Sequence, residues 1–382
     1  MRLGDCCKTN LHTYSDKEKW SLIRYLDTGS ITEGRIDEIQ TLYPGVDKIP
    51  SRARRKASVG DILFSTVRPN QKHYGIIEVG TENLLVSTGF TVVTVDTTIA
   101  DPYFIYYYLT QSSVIESLQA IAEQSTSTYP SIKPSDIEDI ELDLPELETQ
   151  KKIGSTLRML DRKIALNEEI NDNLQQQAAA LFSSLYDRTN TEVRFTDLIQ
   201  ILGGGTPKTG ENTYWNGNIA FFTPKDVGTP YTLITEKTIT EEGLSHCNSR
   251  LYPVNTVFVT ARGTVGKVGM SGVPMAMNQS CYALVGKETH QLLVYFYTLK
   301  AVDRLKHKAS GAVFDAITTR DFESEQIMKL SDDDAKAFLC IAEPMFQKVL
   351  NNCIENLRLS TLRDSLLPKL MSGEVDVSAV QL

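Results

Sequence analysis

The chain has 382 residues, of which 41% are hydrophobic, and a formal net charge of −9. This length exceeds what one hydrophobic core usually supports, so two domains are expected. No apolar run approaches the roughly 20 residues of a membrane span and the N-terminus has no apolar signal segment, so we expect a cytoplasmic protein without a membrane partner.

Negative charge is concentrated in one segment. Residues 101–150 contain ten Asp and Glu but only one Lys, and the other segments are close to neutral. A near-neutral domain with a locally basic face can still bind DNA, with a modest contribution from phosphate contacts.

The sequence lacks the patterns of a metal or cofactor site. Its six cysteines form no C-x-x-C pair and have no histidine at metal-ligand spacing, so free thiols and no metal are expected. The glycine clusters at 203–205 and 263–269 do not match the phosphate loop G-x-x-x-x-G-K-[ST]. They are interpreted as turns, with a nest for DNA phosphate as the alternative, and no cofactor is expected in this chain.

Residues 1–149 are predicted to form a mixed α/β domain, because short β-branched runs such as 89–95 alternate with turns. The segment Asp101-Pro102-Tyr103-Phe104 echoes the Asp-Pro-Pro-Tyr loop of adenine-N6 methyltransferases but lacks the second proline. A helix start explains it better, with Asp101 as the cap and Pro102 at the first position. We therefore expect one helix over 102–119 and no catalysis there.

Residues 150–187 are predicted to form a long helix, because they contain no proline and many helix formers. Apolar residues recur at alternating spacings of four and three, which is the stripe of a coiled coil. This seam includes Ile153 and Leu160, and it also includes Asn167 and Asn171. Buried asparagines at a seam fix the register of the helices; a solvated edge is the alternative.

Residues 188–332 are predicted to form a second mixed α/β domain with a strand at 256–260. Residues 333–382 are predicted to form a second spacer helix and a tail. This helix is expected to be interrupted near Pro344 and ended by Pro368 and Gly373.

The chain contains an internal repeat. Adding 185 to the seam positions of the first helix gives seam positions of the second, and nine of ten keep their character; among them are Met345, Asn352 and Asn356. Only the step from Ala178 to Arg363 breaks the match. Because one chain must return from its second domain, the two long helices are predicted to form an antiparallel coiled coil within a pseudo-twofold repeat.

Several segments carry a family resemblance. They are GGGTPKTGENTYWNGNIAFFTPKDV at 203–227, ARGTVGKVG at 261–269, NQSCYAL at 278–284, GAVFDAITTRDF at 311–322 and LRDSLLPKLMSGEVDV at 362–377. In this order they are similar to the specificity subunits of type I restriction-modification systems. The first half resembles a divergent copy, which keeps GDILFSTVRPN at 60–70 but lacks the Gly-Gly-Thr-Pro opening.

The resemblance implies a non-catalytic subunit of a larger enzyme. Each of two target recognition domains would bind one half of a bipartite, asymmetric target in double-stranded DNA, and the helices would set the gap. The helices would also receive two modification subunits, which methylate adenine with S-adenosylmethionine, and the assembly would recruit restriction subunits with motor and nuclease activity.

Polar side chains near the ends of predicted strands are the candidate DNA contacts. Arg reads guanine, Asn and Gln read adenine, and Lys mainly positions phosphate. The candidates in the first half are Arg52, Arg54, Arg55, Lys56, Arg68, Asn70, Gln71, Lys72 and Tyr129. Those in the second half are Thr206, Lys208, Tyr214, Lys225, Arg262, Thr264, Lys267 and Gln279.

Arg68 and Arg262 are the preferred candidates because both follow the same repeated strand. The polar loops 125–129 and 310–314 are expected at corresponding places in the two halves. For the basic run, a solvated loop is the alternative. Three alternative functions remain open for the chain: a coiled-coil scaffold without a DNA function, a methyltransferase with fused recognition domains, and the recognition module of a different, type II-like methyltransferase or nuclease.

Overall fold

The structure is a computed structural model that describes residues 1–15, 17–124, 129–228, 230–308 and 316–377. The chain folds into two compact units. One contains Met1–Lys163 and the segment that begins at Leu359, and the other contains Ile164–Arg358.

The first unit contains a globular domain, called the first domain, that precedes the first long helix. Its strands are β1 (Cys7–Thr9), β2 (Ile23–Leu26), β3 (Ile31–Thr32), β4 (Arg35–Ile36), β5 (Gln40–Leu42), β6 (Ala53–Lys56), β7 (Ile62–Ser65), β8 (Tyr74–Ile76), β9 (Leu84–Ser87) and β10 (Phe90–Val95). Its helices are α1 (Pro102–Leu109), α2 (Ser112–Glu123) and α3 (Pro134–Glu138). The strands form two four-stranded sheets, ordered β1-β10-β7-β8 and β5-β2-β9-β6, and the hairpin β3-β4.

The long helix α4 (Leu147–Tyr186) leads to the second domain, in which every strand belongs to the second unit. Its strands are β11 (Glu192–Arg194), β12 (Ile199–Gly203), β13 (Trp215–Phe222), β14 (Tyr231–Thr232), β15 (Lys237–Ile239), β16 (Val257–Thr260), β17 (Val268–Ser271), β18 (Met275–Met277), β19 (Cys281–Gly286) and β20 (Gln326–Met328). Its helices are α5 (Phe195–Leu198), α6 (Glu241–Ser245), α7 (Gln291–Lys308) and α8 (Thr319–Ser324), and helix α9 (Asp332–Met371) follows.

The two domains share a topology. The order β12-β19-β16-β17 in the second matches β1-β10-β7-β8 in the first, and β15-β13-β18 matches β5-β2-β9. In both domains the central strand of the second sheet also pairs with a parallel neighbour, β2 with β9 and β13 with β18. The predicted α/β fold with an internal repeat is therefore confirmed.

Two long helices are present, close to their predicted bounds, but two local predictions were wrong. The helix expected over 102–119 is broken into α1 and α2 around Thr110 and Gln111. Helix α9 runs through Pro344 and Pro368 without interruption and ends at Met371, before Gly373 with a φ of 74°.

Pro344 is tolerated because of the face on which it lies. A proline removes one helical hydrogen bond to the carbonyl four residues earlier, here that of Cys340. Pro344 and Cys340 are both exposed, so water can satisfy that carbonyl. Phe338 and Phe346 on the opposite face are buried in the core, and their packing keeps the helix continuous.

In the second unit, the two long helices pair antiparallel through buried asparagines. Asn352 Nδ2 donates to Asn171 Oδ1 at 2.8 Å, and Asn167 Nδ2 donates to Asn356 Oδ1 at 2.8 Å. Asn167 and Asn352 are 0% and 1% exposed, so the solvated-edge alternative is wrong for them. Because each hydrogen bond joins defined positions, sliding of one helix would leave buried amides unpaired.

In the first unit, the equivalent helix contact is polar. Arg363 Nη1 donates to Asp161 Oδ1 at 2.7 Å, and the Tyr107 hydroxyl donates to Asp161 Oδ2 at 2.5 Å. The Asp161 and Asp364 carboxylates raise the pKa of Arg363, against the effect of its burial.

The repeat explains why Arg363 breaks the seam pattern. With an offset of 185, Asp161 is equivalent to Phe346, and Ala178 is equivalent to Arg363. Tyr107 is equivalent to Phe296, because each lies five residues after the start of its helix, at Pro102 and Gln291. Phe296 and Phe346 pack with ring centroids 5.5 Å apart, in the same apolar cluster as Ala178. A polar triad in one unit thus replaces an apolar triad in the other.

We expect Arg363→Ala to lower the free energy of unfolding by about 1–2 kcal/mol, because it leaves a partly buried carboxylate without its cation. The triple variant Tyr107→Phe, Asp161→Phe, Arg363→Ala reproduces the apolar triad and should recover most of that loss. Urea denaturation would measure both, with Arg358→Ala as an exposed control on the same helix. A triple variant less stable than Arg363→Ala would contradict the equivalence.

The asparagine pair predicts a strongly non-additive double-mutant cycle. Either Asn171→Leu or Asn352→Leu alone should cost about 1–3 kcal/mol, because the remaining amide is buried without its partner. Replacing both should cost less than the sum, since no amide is then stranded. The exposed Asn351→Leu is the control in the same urea titrations, and additive losses would show that the pair does not act as a unit.

Candidate nucleic-acid interface

In the first domain, three segments cross where strand β7 ends. The Thr66 amide donates to the Gly89 carbonyl at 2.8 Å, and the Ile132 amide donates to the Thr66 carbonyl at 2.9 Å. The Arg68 amide donates to the Pro130 carbonyl at 3.0 Å. These backbone bonds hold together the loop 66–72, the turn 87–89 and the segment 129–132, which we call the first crossing.

The second domain repeats this arrangement after β16. The Ala261 amide donates to the Ser280 carbonyl at 2.8 Å, and the Ile317 amide donates to the Ala261 carbonyl at 2.9 Å. The loop 261–267, the turn 278–280 and the segment 316–318 form this second crossing.

The turns of the two crossings also correspond. Ser87 Oγ accepts from the Gly89 amide at 3.3 Å, and Asn278 Oδ1 accepts from the Ser280 amide at 3.0 Å. Exposed Thr88 and Gln279 therefore occupy the same position. Sequence reasoning selected Gln279 but missed Thr88, which the match of STGF at 87–90 with NQSC at 278–281 indicates.

The preferred arginines lie at the crossings but not at equivalent positions. Val67 bridges Ser131 in the first domain, and Arg262 bridges Ala316 in the second. Arg262 is thus equivalent to Val67, and Arg68 to Gly263. Arg68 and Gly263 both have a left-handed backbone, with φ of 49° and 82° respectively.

Arg68 and Tyr129 form one exposed surface of the first crossing. The Arg68 guanidinium lies over the Tyr129 ring, 5.4 Å from its centroid, and the tyrosine is 60% exposed. Stacking of this kind holds a guanidinium in place without consuming its hydrogen-bond donors.

Strand β6 carries the basic run beside the first crossing. The Arg52 carbonyl accepts from the Thr88 amide at 2.9 Å, which joins the start of the run to the turn. Arg54 is half-buried, and burial lowers the pKa of Arg55. Among the described residues, Arg55 Nη1 is buried without a hydrogen-bond partner.

Three candidate lysines already have carboxylate partners. Lys56 Nζ lies 2.5 Å from Glu18 and holds the pKa of that carboxyl below its ordinary value. Lys72 Nζ lies 2.6 Å from Glu33 Oε1, and Lys225 Nζ lies 3.5 Å from Glu236 Oε2. Their charges are therefore locally balanced.

The other candidates are placed as follows. Asn70, Gln71, Lys208, Arg262, Thr264 and Lys267 are exposed. Tyr214 stacks on the His246 ring with centroids 5.0 Å apart, and Thr206 donates a hydrogen bond to Gln279 Oε1. The loops 125–128 and 310–314 lie outside the described residues.

Two glycines of the cluster 203–205 allow a close approach between backbone segments. A Cβ at Gly204 would lie 2.2 Å from the Asn278 carbonyl oxygen, and one at Gly205 would lie 2.6 Å from the Asn248 nitrogen. The segment can therefore lie directly on the turn of the second crossing, with Thr206 beside Gln279.

Within the described ranges, no group of three or more His, Cys, Asp and Glu could hold a metal ion. All six cysteines are free thiols. No helix in that part of the chain is long and apolar enough to cross a membrane.

Comparison with known proteins gives the family. The model of the type I restriction modification DNA specificity domain matches residues 48–176 and again 188–329, which together exceed half of the chain. The chain belongs to this family of specificity subunits. Subunits of this family are the non-catalytic members of type I restriction-modification systems.

Relatives match along nearly the whole length. The chain is 24% identical to the type I restriction enzyme HindI specificity subunit of Haemophilus influenzae, covering 98% of both proteins. It is 22% identical to the MjaIX specificity subunit of Methanocaldococcus jannaschii, covering 83% of this chain and 78% of that protein. The crystal structure of a type I S subunit from M. genitalium shares the fold, with a TM-score of 0.61, 16% identity, and coverage of 97% and 95%.

The close approach at Gly204 predicts a sharp contrast between neighbouring glycines. Gly204→Ala should lower the free energy of unfolding by about 1–3 kcal/mol, because the added methyl forces backbone carbonyls apart. Gly203→Ala is the matched control, since a Cβ there meets nothing within 4 Å. Equal thermal unfolding midpoints for the two variants would show that the glycine cluster has no packing role.

Proposed function

We propose that the chain selects a bipartite, asymmetric target in double-stranded DNA for an adenine-methylating and restriction complex. The observation that carries this proposal is the crossing itself, which is built twice on two equivalent backbone hydrogen bonds but with different exposed side chains. Two copies of one scaffold with different polar surfaces suit the reading of two different half-sites.

Arg68 and Arg262 are the proposed base readers. An exposed guanidinium can donate two hydrogen bonds to guanine O6 and N7 in the major groove. Gln279, oriented by Thr206, suits adenine, and Asn70 and Gln71 offer the same amide chemistry in the first domain.

The remaining candidates are proposed to position the phosphate backbone. Lys208 and Lys267 are exposed point charges of the kind that hold phosphate. Arg52, Arg54 and Arg55 line the side of the first crossing, and a phosphate oxygen would supply an acceptor beside the half-buried Arg55. The proposed secondary contacts are Lys56, Tyr129, Lys72, Tyr214, Lys225 and Thr264.

The proposed division of labour follows the chain. Residues 1–149 and 188–332 would form the two recognition domains, and residues 150–187 and 333–382 the spacer helices with the tail. The helices would dock two modification subunits, which supply S-adenosylmethionine, and the assembly would bind restriction subunits. These partners imply a cytoplasmic location.

Two other functions make different predictions. A coiled-coil scaffold without DNA recognition would tolerate the loss of Arg68 and Arg262 with no effect on methylation. A recognition module for a different, type II-like enzyme would bind DNA but leave the methylation pattern of the type I partners unchanged.

The test is adenine-methylation mapping in cells that express the chain with its modification subunits, compared with cells lacking the chain. We expect a split motif, two short half-sites around a fixed gap, only when the chain is present. Arg68→Ala should weaken discrimination at one half-site and Arg262→Ala at the other, by about 1–3 kcal/mol for each lost bidentate contact.

Lys287→Ala is a control for the general effect of removing a cation, because this exposed lysine follows the end of β19 that lies away from the second crossing and donates to the Thr196 carbonyl at 2.7 Å. Unchanged methylation from demonstrably active modification subunits would contradict the proposed function. A single motif lost as a whole in both arginine variants would instead contradict the assignment of one half-site to each crossing.

A further inference from the structure

A lysine of helix α7 lies against the loop of the second crossing. A Cβ at Gly266 would lie 2.6 Å from Lys306 Cε, 3.1 Å from Val302 Cγ1 and 3.4 Å from Lys306 Nζ. The lysine chain therefore covers Gly266, whose φ of 75° suits glycine. Its ammonium group lies beside the loop that carries Arg262 and Lys267.

The neighbouring cations of α7 are used elsewhere. Arg304 Nε lies 2.9 Å from Oε1 of the fully buried Glu325, and Lys308 donates to the same carboxylate. Lys300 Nζ lies over the Tyr186 ring, 5.3 Å from its centroid. The Lys306 side chain lies on a different face of helix α7 from those of Arg304 and Lys308, because residues two positions apart in a helix point in different directions.

Lys306 lies beside the loop that carries two other cations. Lys306, Arg262 and Lys267 are all exposed. Across the described ranges, none of the three makes an ion pair with Asp or Glu. The nearby ion pairs are those of Lys225, Arg304 and Lys308, and on the same helix His307 lies 3.7 Å from Asp303. Three like charges on one loop and one helix end repel each other, and a polyanion relieves that repulsion.

The first crossing differs at the corresponding place. There helix α2 meets the loop with an amide: Gln119 Oε1 accepts from the Asn70 amide at 3.3 Å, and Gln119 Nε2 donates to Glu123 at 2.9 Å. Lys72, whose left-handed φ of 57° matches that of Gly266, is paired with Glu33. The helix beside the first loop thus offers no cation where the second offers Lys306.

We propose that Lys306 and Lys267 form a phosphate-binding cluster beside the base reader Arg262, so that the helix next to the second crossing contacts the DNA backbone and the helix next to the first crossing does not. This rests on the proposed function and deepens it, because it assigns the phosphate contacts unequally to the two half-sites. Lys306 contacts phosphate and reads no base, so its contribution is independent of DNA sequence.

The experiment measures DNA binding by the full chain in complex with its modification subunits, as a function of salt, on target and non-target duplexes. Lys306→Gln keeps much of the aliphatic chain over Gly266 and removes the charge. Losing one phosphate contact should reduce the slope of log K against log salt by about 0.9 on both duplexes. Between 50 and 200 mM salt, the variant should then lose about threefold less affinity than the wild type.

Three controls isolate the charge of Lys306. Lys300→Gln removes a cation from the same helix and should keep the wild-type slope. Lys72→Gln removes a cation that Glu33 already balances, so it should change the slope less than Lys306→Gln does. Lys306→Arg restores the charge and should restore the slope, which a purely packing role would not require.

Each outcome decides between the two proposals. A wild-type slope in Lys306→Gln, on a complex that binds its split target, overturns the cluster and leaves the proposed function standing. A slope change in Lys72→Gln equal to that of Lys306→Gln overturns the asymmetry. A wild-type complex that shows no preference for any split target overturns the proposed function itself.

Discussion

The helix pairing of the second unit depends on two buried amide hydrogen bonds. Asn171 with Asn352, and Asn167 with Asn356, are joined at 2.8 Å where an apolar seam would have accepted several registers. An amide that loses its partner in a buried seam is costly, whereas apolar side chains slide with little penalty. The asparagines thus restrict an apolar seam, which could pack in several registers, to one alignment. The placement of every element between the helices depends on that alignment.

The two halves of the repeat keep equivalent positions but fill them with residues of different chemistry. Tyr107, Asp161 and Arg363 form a hydrogen-bonded triad at the positions that Phe296, Phe346 and Ala178 fill with apolar contacts. A single exchange would strand a charge or open a cavity. All three positions differ together, so the side chains of each triad keep their partners and the two halves can diverge at these positions without loss of packing.

The sequence predicted what depends on periodicity and missed what depends on contacts. The repeat at an offset of 185 residues and the seam asparagines can be recognised in the sequence, because the residues on one face of a helix recur with the helical period. The tolerance of Pro344 depends on which face meets the core, and the charge balance of Lys56 and Lys72 depends on Glu18 and Glu33, 38 and 39 residues away. Such partners are set by tertiary folding, which pattern reading does not reach.

The one-residue shift between the preferred arginines shows how one scaffold serves two surfaces. The crossing is held by backbone groups of Thr66 and Ala261, so the side chains that follow are free to vary. Arg68 occupies a left-handed position at which the second domain has Gly263, and Arg262 precedes that glycine. Left-handed backbone strains a non-glycine residue, so the first domain maintains Arg68 at a cost. That cost fits a guanidinium that must stand over Tyr129 and face outward, whereas the second domain presents its arginine one residue earlier, without the strain.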